Sequence, residues 1–133
     1  MTVERRERLT SEHRLTSPLQ HAAVKESGVA YRGRCCMLLV LARPGEPTRF
    51  AFVASRKSVG GAVQRNRARR RLRELVRRRW PRLSERGYWI VVIAFRETLT
   101  AAHQDLATDL ERLLARAGAL APIAPVADPS GHA

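Results

Sequence analysis

Between Ser58 and Leu75 the chain reads SVGGAVQRNRARRRLREL, and the chemistry available there is that of guanidinium groups. Six arginines and a single acid, Glu74, fall in these 18 residues. Each arginine presents its N–H donors in a planar fork that fits two phosphate oxygens at once. Asn66, between Arg65 and Arg67, can both donate and accept. Just before, Arg56 and Lys57 lead into Ser58-Val59-Gly60-Gly61. The backbone amides of that loop and the positive end of a following helix can face a phosphate. The pattern is one for holding a polyanion.

Other chemistry has little footing. A Walker-type phosphate loop needs G-x-x-x-x-G-K-[ST], which this loop lacks. The sequence offers no paired carboxylates at suggestive spacing and no Ser/His/Asp or Cys/His constellation, so no catalytic residue is assigned to the protein. Cys35 and Cys36 are adjacent and, on a strand, would point to opposite faces. His13, His21, His103 and His132 are scattered, so neither a disulfide framework, a zinc site nor another metal site is expected. This cysteine usage fits a reducing, cytoplasmic setting.

The whole chain has the same electrostatic bias. Its 133 residues carry 25 basic and 12 acidic side chains, a formal net charge of +13. Such an excess opposes compaction unless an anionic partner offsets it, and nucleic acid leads the candidates. Of the basic residues only Lys25 and Lys57 are lysines. Genome base composition could produce that bias as well as phosphate recognition.

The elements that must position these groups follow from periodicity. On a helical wheel Ala68, Leu72, Leu75 and Val76 share an arc of about 100°, the width of a core-facing stripe. Asn66, Arg69, Arg70, Arg73 and Arg77 occupy one flank, and Arg67, Arg71 and Arg78 the other, where solvation alone is also an adequate role. Glu74 lies one turn from both Arg70 and Arg78 and is the local relief for like-charge repulsion. Ser17-Pro18-Leu19-Gln20 has the form of a capping box that opens a short helix, closed by Gly28. Cys35 to Ala42 and Tyr88 to Phe95 are eight-residue apolar runs of strand length. Arg49 to Ser55 alternates, with Phe50 and Phe52 on one face. The turn residues RPGEPT between the first and last of these predict a hairpin of 35–42 with 49–55. A final helix over 101–117 carries Leu106, Leu110, Leu113 and Leu114, with Gly118 as its stop. No signal-peptide pattern or membrane-length apolar run is present, and no membrane partner is expected. Residues 1–13 and the Ala/Pro-rich 119–133 read as flexible tails around one domain, 14–118.

Ser55-Arg56-Lys57, Gly60, Ala62-Val63 and the run from Arg65 to Glu74 resemble the signature of the protein subunit of bacterial ribonuclease P. The resemblance extends over roughly 14–118, through Arg14-Leu15, Arg34, YWIVVIAFR and the terminal helix. It implies an α/β (α+β) two-layer sandwich of order α-β-β-β-α-β-α, similar to the second domain of a small-subunit ribosomal protein. A left-handed crossover would run through the RNR helix. The third strand it requires is placed near Ala54 to Lys57.

The implied function is that of an RNA-binding subunit. With a catalytic RNA it removes the 5′ leader of precursor tRNA by endonucleolytic hydrolysis, and Mg2+ is held mainly by the RNA. The protein would bind the leader and lower the magnesium requirement. Arg56, Lys57, Arg65, Asn66, Arg67, Arg69, Arg70 and Arg73 match the family's contacts to the RNA subunit. The leader cleft, between the first helix and an open sheet face, would involve His21, Lys25 and Leu39, where the family commonly has two phenylalanines and a tyrosine. Single-stranded RNA is usually held by stacking on aromatic rings. His21 can still stack and Lys25 supplies only charge, so the cleft is expected to rely more on phosphate contacts.

The main alternative is a structural RNA-binding protein of ribosomal type with no role in cleavage. A DNA-binding regulator would need a recognition helix with mixed readers of base edges, which this helix lacks, and no DNA partner is expected. A stand-alone nuclease would need metal-binding carboxylates.

Overall fold

The computed structural model describes residues 11–84 and 86–121. A 3-10 turn, Ser11–His13, precedes α1 (Pro18–Ser27), β1 (Val29–Arg32), β2 (Cys36–Pro47), β3 (Arg49–Val53) and α2 (Ala62–Arg78). A second 3-10 turn, Trp80–Arg82, leads to β4 (Arg86–Ala94), the one-turn α3 (Glu97–Thr100) and α4 (His103–Arg116). The α-β-β-β-α-β-α order is present, with α3 added before the last helix.

The four strands form one sheet in the order β1-β2-β4-β3. β1 and β2 are antiparallel, as are β2 and β4, whereas β3 runs parallel to β4. The hairpin expected between 35–42 and 49–55 therefore does not form, because β4 lies between those strands. The reason is in β4 itself. Trp89, Ile90, Val91 and Val92 are all buried, so the strand is covered on both faces and takes the central position with two partners. A parallel β3–β4 pair needs a long crossover, which α2 supplies.

The third strand does not lie where the resemblance places it. Ala54 to Lys57 is the exit from β3 and the turn after it, and the additional strand is Val29–Arg32. Only Tyr31 of β1 is even half-buried, so this edge strand has no apolar alternation to announce it. Cys35 and Cys36 do not divide between faces either. Cys35 precedes the strand, and both side chains enter one core cluster.

The two sheet faces differ. Leu38, Val40, Phe50, Ile90 and Val92 pack under Ala68, Leu72, Leu75 and Val76 of α2 and Leu106, Leu110, Leu113 and Leu114 of α4. These are the apolar stripes that the periodicity predicts. The opposite face holds a smaller cluster around Leu15, Val24, Ala51, Trp89 and Val91, with α1 across β2 and β4. Leu39, Leu41, Val53 and Ile93 on that face stay half-buried. One sheet face is thus sealed, and the other is only partly covered.

Both ends pack beyond the expected limits of 14 and 118. The His13 Nδ1 lies 2.7 Å from the Thr48 carbonyl, and its ring meets Trp80 edge-on at 4.6 Å. Ala119 and Leu120 are buried, and Leu120 bridges to Leu83. The remainder of each expected tail lies outside the described residues.

A buried carboxylate ties α4 to the β1–β2 turn. Asp109 accepts the Arg34 and Cys35 backbone amides at 3.1 and 2.9 Å. Gly33 makes this approach possible, since a Cβ there would lie 2.5 Å from the Asp109 Oδ2. Burial, then the Asp109 charge, pushes the Cys36 thiol far above its ordinary range.

Candidate nucleic-acid interface

The charged helix is assembled as its wheel predicts. Gly60, at φ 130°, makes the turn into α2, and Val59 buries its side chain to anchor the loop. Gly61 is the N-cap and supplies no side-chain bond, and no acid lies in the first turn. The first intrahelical bond here runs from the Arg65 amide to the Gly61 carbonyl, at 2.9 Å. The preceding amides of Ala62, Val63 and Gln64 are the donors a helix start leaves without intrahelical partners. Arg56 and Lys57 are exposed in the turn beside them.

Along the helix, Asn66 accepts a hydrogen bond from Arg69, which sets the two side chains side by side. Among the described residues no carboxylate pairs with Arg65, Arg67, Arg69, Arg70 or Arg73. The Arg65 Nε is buried without a hydrogen-bond partner. Arg73 is lowered from its ordinary pKa by partial burial and then by the neighbouring charges of Arg14, Arg69 and Arg70. Burial is the larger cause, and the crowding of neighbouring cations adds to it.

Glu74 relieves the far end of the helix only. It accepts from the Arg77 Nε and the Arg78 Nε, each at 3.1 Å, and does not pair with Arg70. Hydrogen bonding to Arg77, opposed by some desolvation and aided by Arg78, holds its carboxyl at about 2. The half of the helix nearest the glycine loop keeps its full positive charge.

The other flank of α2 has a different task. Arg71 donates to the carbonyls of Thr98, Leu99 and Ala101 at 2.7, 3.0 and 3.1 Å. These are carbonyls at the end of α3, so this guanidinium serves as a C-terminal cap across 27 to 30 residues of chain. Arg79 donates to Glu111 at 2.7 Å and to the Leu75 carbonyl at 3.0 Å, which fastens the end of α2 to α4.

The three residues expected in the leader cleft are divided. Leu39 lies half-buried on the partly covered sheet face, and Lys25 is exposed in the last turn of α1. His21 instead lines a groove at the β3 edge together with Arg14, Phe52 and Arg73. Its Nε2 donates to the Leu15 carbonyl at 3.0 Å, so the imidazole is held as part of the wall. Sequence reasoning missed Arg14 and Phe52 as groove residues. The alternation of Phe50 with Phe52 gave the face, but not that α2 leaves the second ring half-exposed.

A family model described as Ribonuclease P matches residues 9–118. The chain belongs to the ribonuclease P protein family. The ribonuclease P protein component of Symbiobacterium thermophilum is 45% identical over 109 residues, covering 81% of this chain and 93% of that protein. That of Chloroflexus aurantiacus is 39% identical over 105 residues, covering 79% and 77%. The solved ribonuclease P protein of Thermotoga maritima superposes with a TM-score of 0.68 at 26% identity, over 77% of this chain and 96% of that one. The Staphylococcus aureus ribonuclease P protein gives 0.71 at 20% identity, over 81% and 97%, a likeness of fold. The chain is accordingly a protein component of ribonuclease P, a tRNA-processing enzyme, and a separate ribosomal-type role receives no support.

Proposed function

We propose that the Asn66-Arg69-Arg70-Arg73 flank of α2, with Arg65, Arg67, Arg56 and Lys57, binds the catalytic RNA of ribonuclease P, and that the partly covered sheet face with Lys25 and Leu39 receives the precursor tRNA 5′ leader. One observation carries this reading: the arginines nearest the glycine loop have no carboxylate partner among the described residues. Like charges one turn apart each cost a helix a few tenths of a kcal/mol, so a polyanion is the natural complement. The free amides at the start of α2 add donors for a phosphate at the same corner.

Endonucleolytic cleavage belongs, on this reading, to the RNA subunit. Among the described residues no group of three or more His, Cys, Asp or Glu side chains could hold a metal ion. Phosphate oxygens of the RNA are the magnesium ligands we assign. The protein contributes cationic donors that favour the folded RNA and substrate when magnesium is scarce. No helix of the described residues is long and apolar enough to cross a membrane. We place the activity in the cytoplasm with the tRNA precursors.

The test is cleavage of a precursor tRNA at low magnesium by the cognate RNA alone, by the protein alone and by both. Cleavage restored only by the pair supports the reading. Tight, salt-sensitive RNA binding without any rescue overturns it.

A further inference from the structure

The groove at the β3 edge combines features that the RNA-subunit contacts do not explain. It encloses about 370 Å³, and among the described residues no acid lines it. Its floor includes the half-buried Phe52, backed by the near-parallel ring of Phe50 at 6.1 Å. Arg73 stands over Phe52 with 5.6 Å between guanidinium carbon and ring centroid, a loose cover beside the 4.2 Å at which Arg43 sits on Trp89. Arg14, also in its lining, is exposed and has no ion-pair partner among the described residues. Its backbone is nevertheless fixed, because Arg14 bridges to Phe50 and the Leu15 amide donates to the Phe50 carbonyl at 2.9 Å.

We propose that this groove is a nucleotide subsite for the leader, in which one unpaired base stacks on Phe52, Arg14 holds a flanking phosphate, and Arg73, at the boundary with the RNA-subunit contacts, covers the base. A ring in a groove is available to an unstacked base and not to a duplex, and base–aromatic stacking tolerates any base. A planar guanidinium can cover the other side of that base. His21 belongs to α1, the helix over the partly covered face, and Arg73 lies one turn from Arg69 and Arg70. The groove therefore sits where a strand leaving that face meets the arginine helix. With His21 engaged by the Leu15 carbonyl, Phe52 takes the stacking role that the sequence assigns to that histidine. The inference rests on the leader-binding reading above.

The experiment uses holoenzyme reconstituted from the RNA subunit and the full chain. Precursor tRNAs carry a single abasic site at each leader position in turn, and their affinities are measured with wild-type protein, Phe52→Leu, Phe52→Tyr and Arg14→Gln. The wild type should show one position where loss of the base weakens binding about fivefold or more, the lower end of what a stacked base contributes. Phe52→Leu should weaken the intact substrate by the same factor and abolish that penalty, as coupled partners in a double-mutant cycle do. Phe52→Tyr should keep the wild-type pattern, which shows that the ring and not the fold is being read. Arg14→Gln should lower the salt slope of leader binding by about 0.7, the value for one single-strand phosphate. An undiminished abasic penalty in Phe52→Leu, with protein-dependent leader affinity retained, overturns the subsite alone. Protein that adds no leader affinity at any position removes the leader reading as well. A defect of Phe52→Leu confined to assembly with the RNA subunit would place that RNA in the groove and overturn the assignment to the leader.

Discussion

Arg70 and Arg71 are adjacent and chemically identical, yet the proposed function gives them opposite work, and replacing each by alanine separates the two. Arg71 donates three hydrogen bonds to the carbonyls of Thr98, Leu99 and Ala101. A hydrogen bond involving a charged group contributes about 1.5–3 kcal/mol, but three bonds on one partly exposed guanidinium are not additive. About 2–3 kcal/mol is the reasonable loss. For a domain of this size that lowers the melting temperature by roughly 10 °C. The number of phosphates neutralised is unchanged, so the slope of log affinity against log salt should stay at its wild-type value. Arg70 is exposed and has no carboxylate partner among the described residues. Its removal should change stability by no more than about 0.5 kcal/mol and reduce the slope by about 0.7–0.9, one phosphate contact. Thermal melts and salt titrations of RNA binding on both variants give the answer. An Arg71→Ala protein that melts like wild type but loses salt slope would refute the division of labour between the two flanks of α2.

Asp109→Asn leaves an amide N–H₂ facing one of the two backbone donors of Arg34 and Cys35, and should cost on the order of 2 kcal/mol in urea unfolding. Glu74 carries a folded-state carboxyl pKa of about 2 against 4.5 for the free group. Its contribution to stability is therefore complete above about pH 4.5 and lost as pH falls toward 2. Glu74→Gln should flatten the stability–pH profile in that window and steepen the salt dependence of RNA binding at neutral pH. Lys25→Ala should weaken leader binding modestly at low salt and leave affinity for the RNA subunit unchanged, measured with leaderless and leader-bearing tRNA. If six to ten phosphates are neutralised in all, affinity for the RNA subunit should fall by roughly 10³ to 10⁵ between 50 and 200 mM salt.

Much of the architecture is legible wherever one physical signal acts alone. The Ser17 capping box forms, with the Leu19 amide donating to the Ser17 hydroxyl and the Ser17 amide to Gln20. Ala68, Leu72, Leu75 and Val76 are the buried residues of α2, as the wheel requires. Illegible were the features set by other parts of the chain. The β2–β3 hairpin failed because turn residues at 43–48 describe only a local reversal. They carry no information about whether the distant β4 will insert between the strands. β1 escaped notice because an exposed four-residue edge strand needs neither alternation nor apolar bulk. For the site, the arginine run announces its chemistry, but type and spacing cannot separate Arg71 from Arg70. That distinction depends on where α3 ends, 27 residues later.

The positions of the acids explain why a helix this positive is stable enough to serve as an interface. Glu74 and Glu111 gather Arg77, Arg78, Arg79 and Arg82 at the C-terminal end of α2 and just beyond it. Arg71 donates to backbone carbonyls. Cations there also meet the negative end of the helix dipole, where they are favourable. At the N-terminal end the dipole is positive, acids are missing from the first turn, and Arg65, Arg67, Arg69, Arg70 and Arg73 repel one another and the dipole alike. An acid in that first turn would stabilise the isolated protein, but it would weaken the positive field that the proposed phosphate contacts need at the same corner. The fold satisfies the arginines that hold it together, and on the proposed reading the others are left to be satisfied by RNA. The arginines nearest the glycine loop should accordingly gain most in order when the RNA subunit binds.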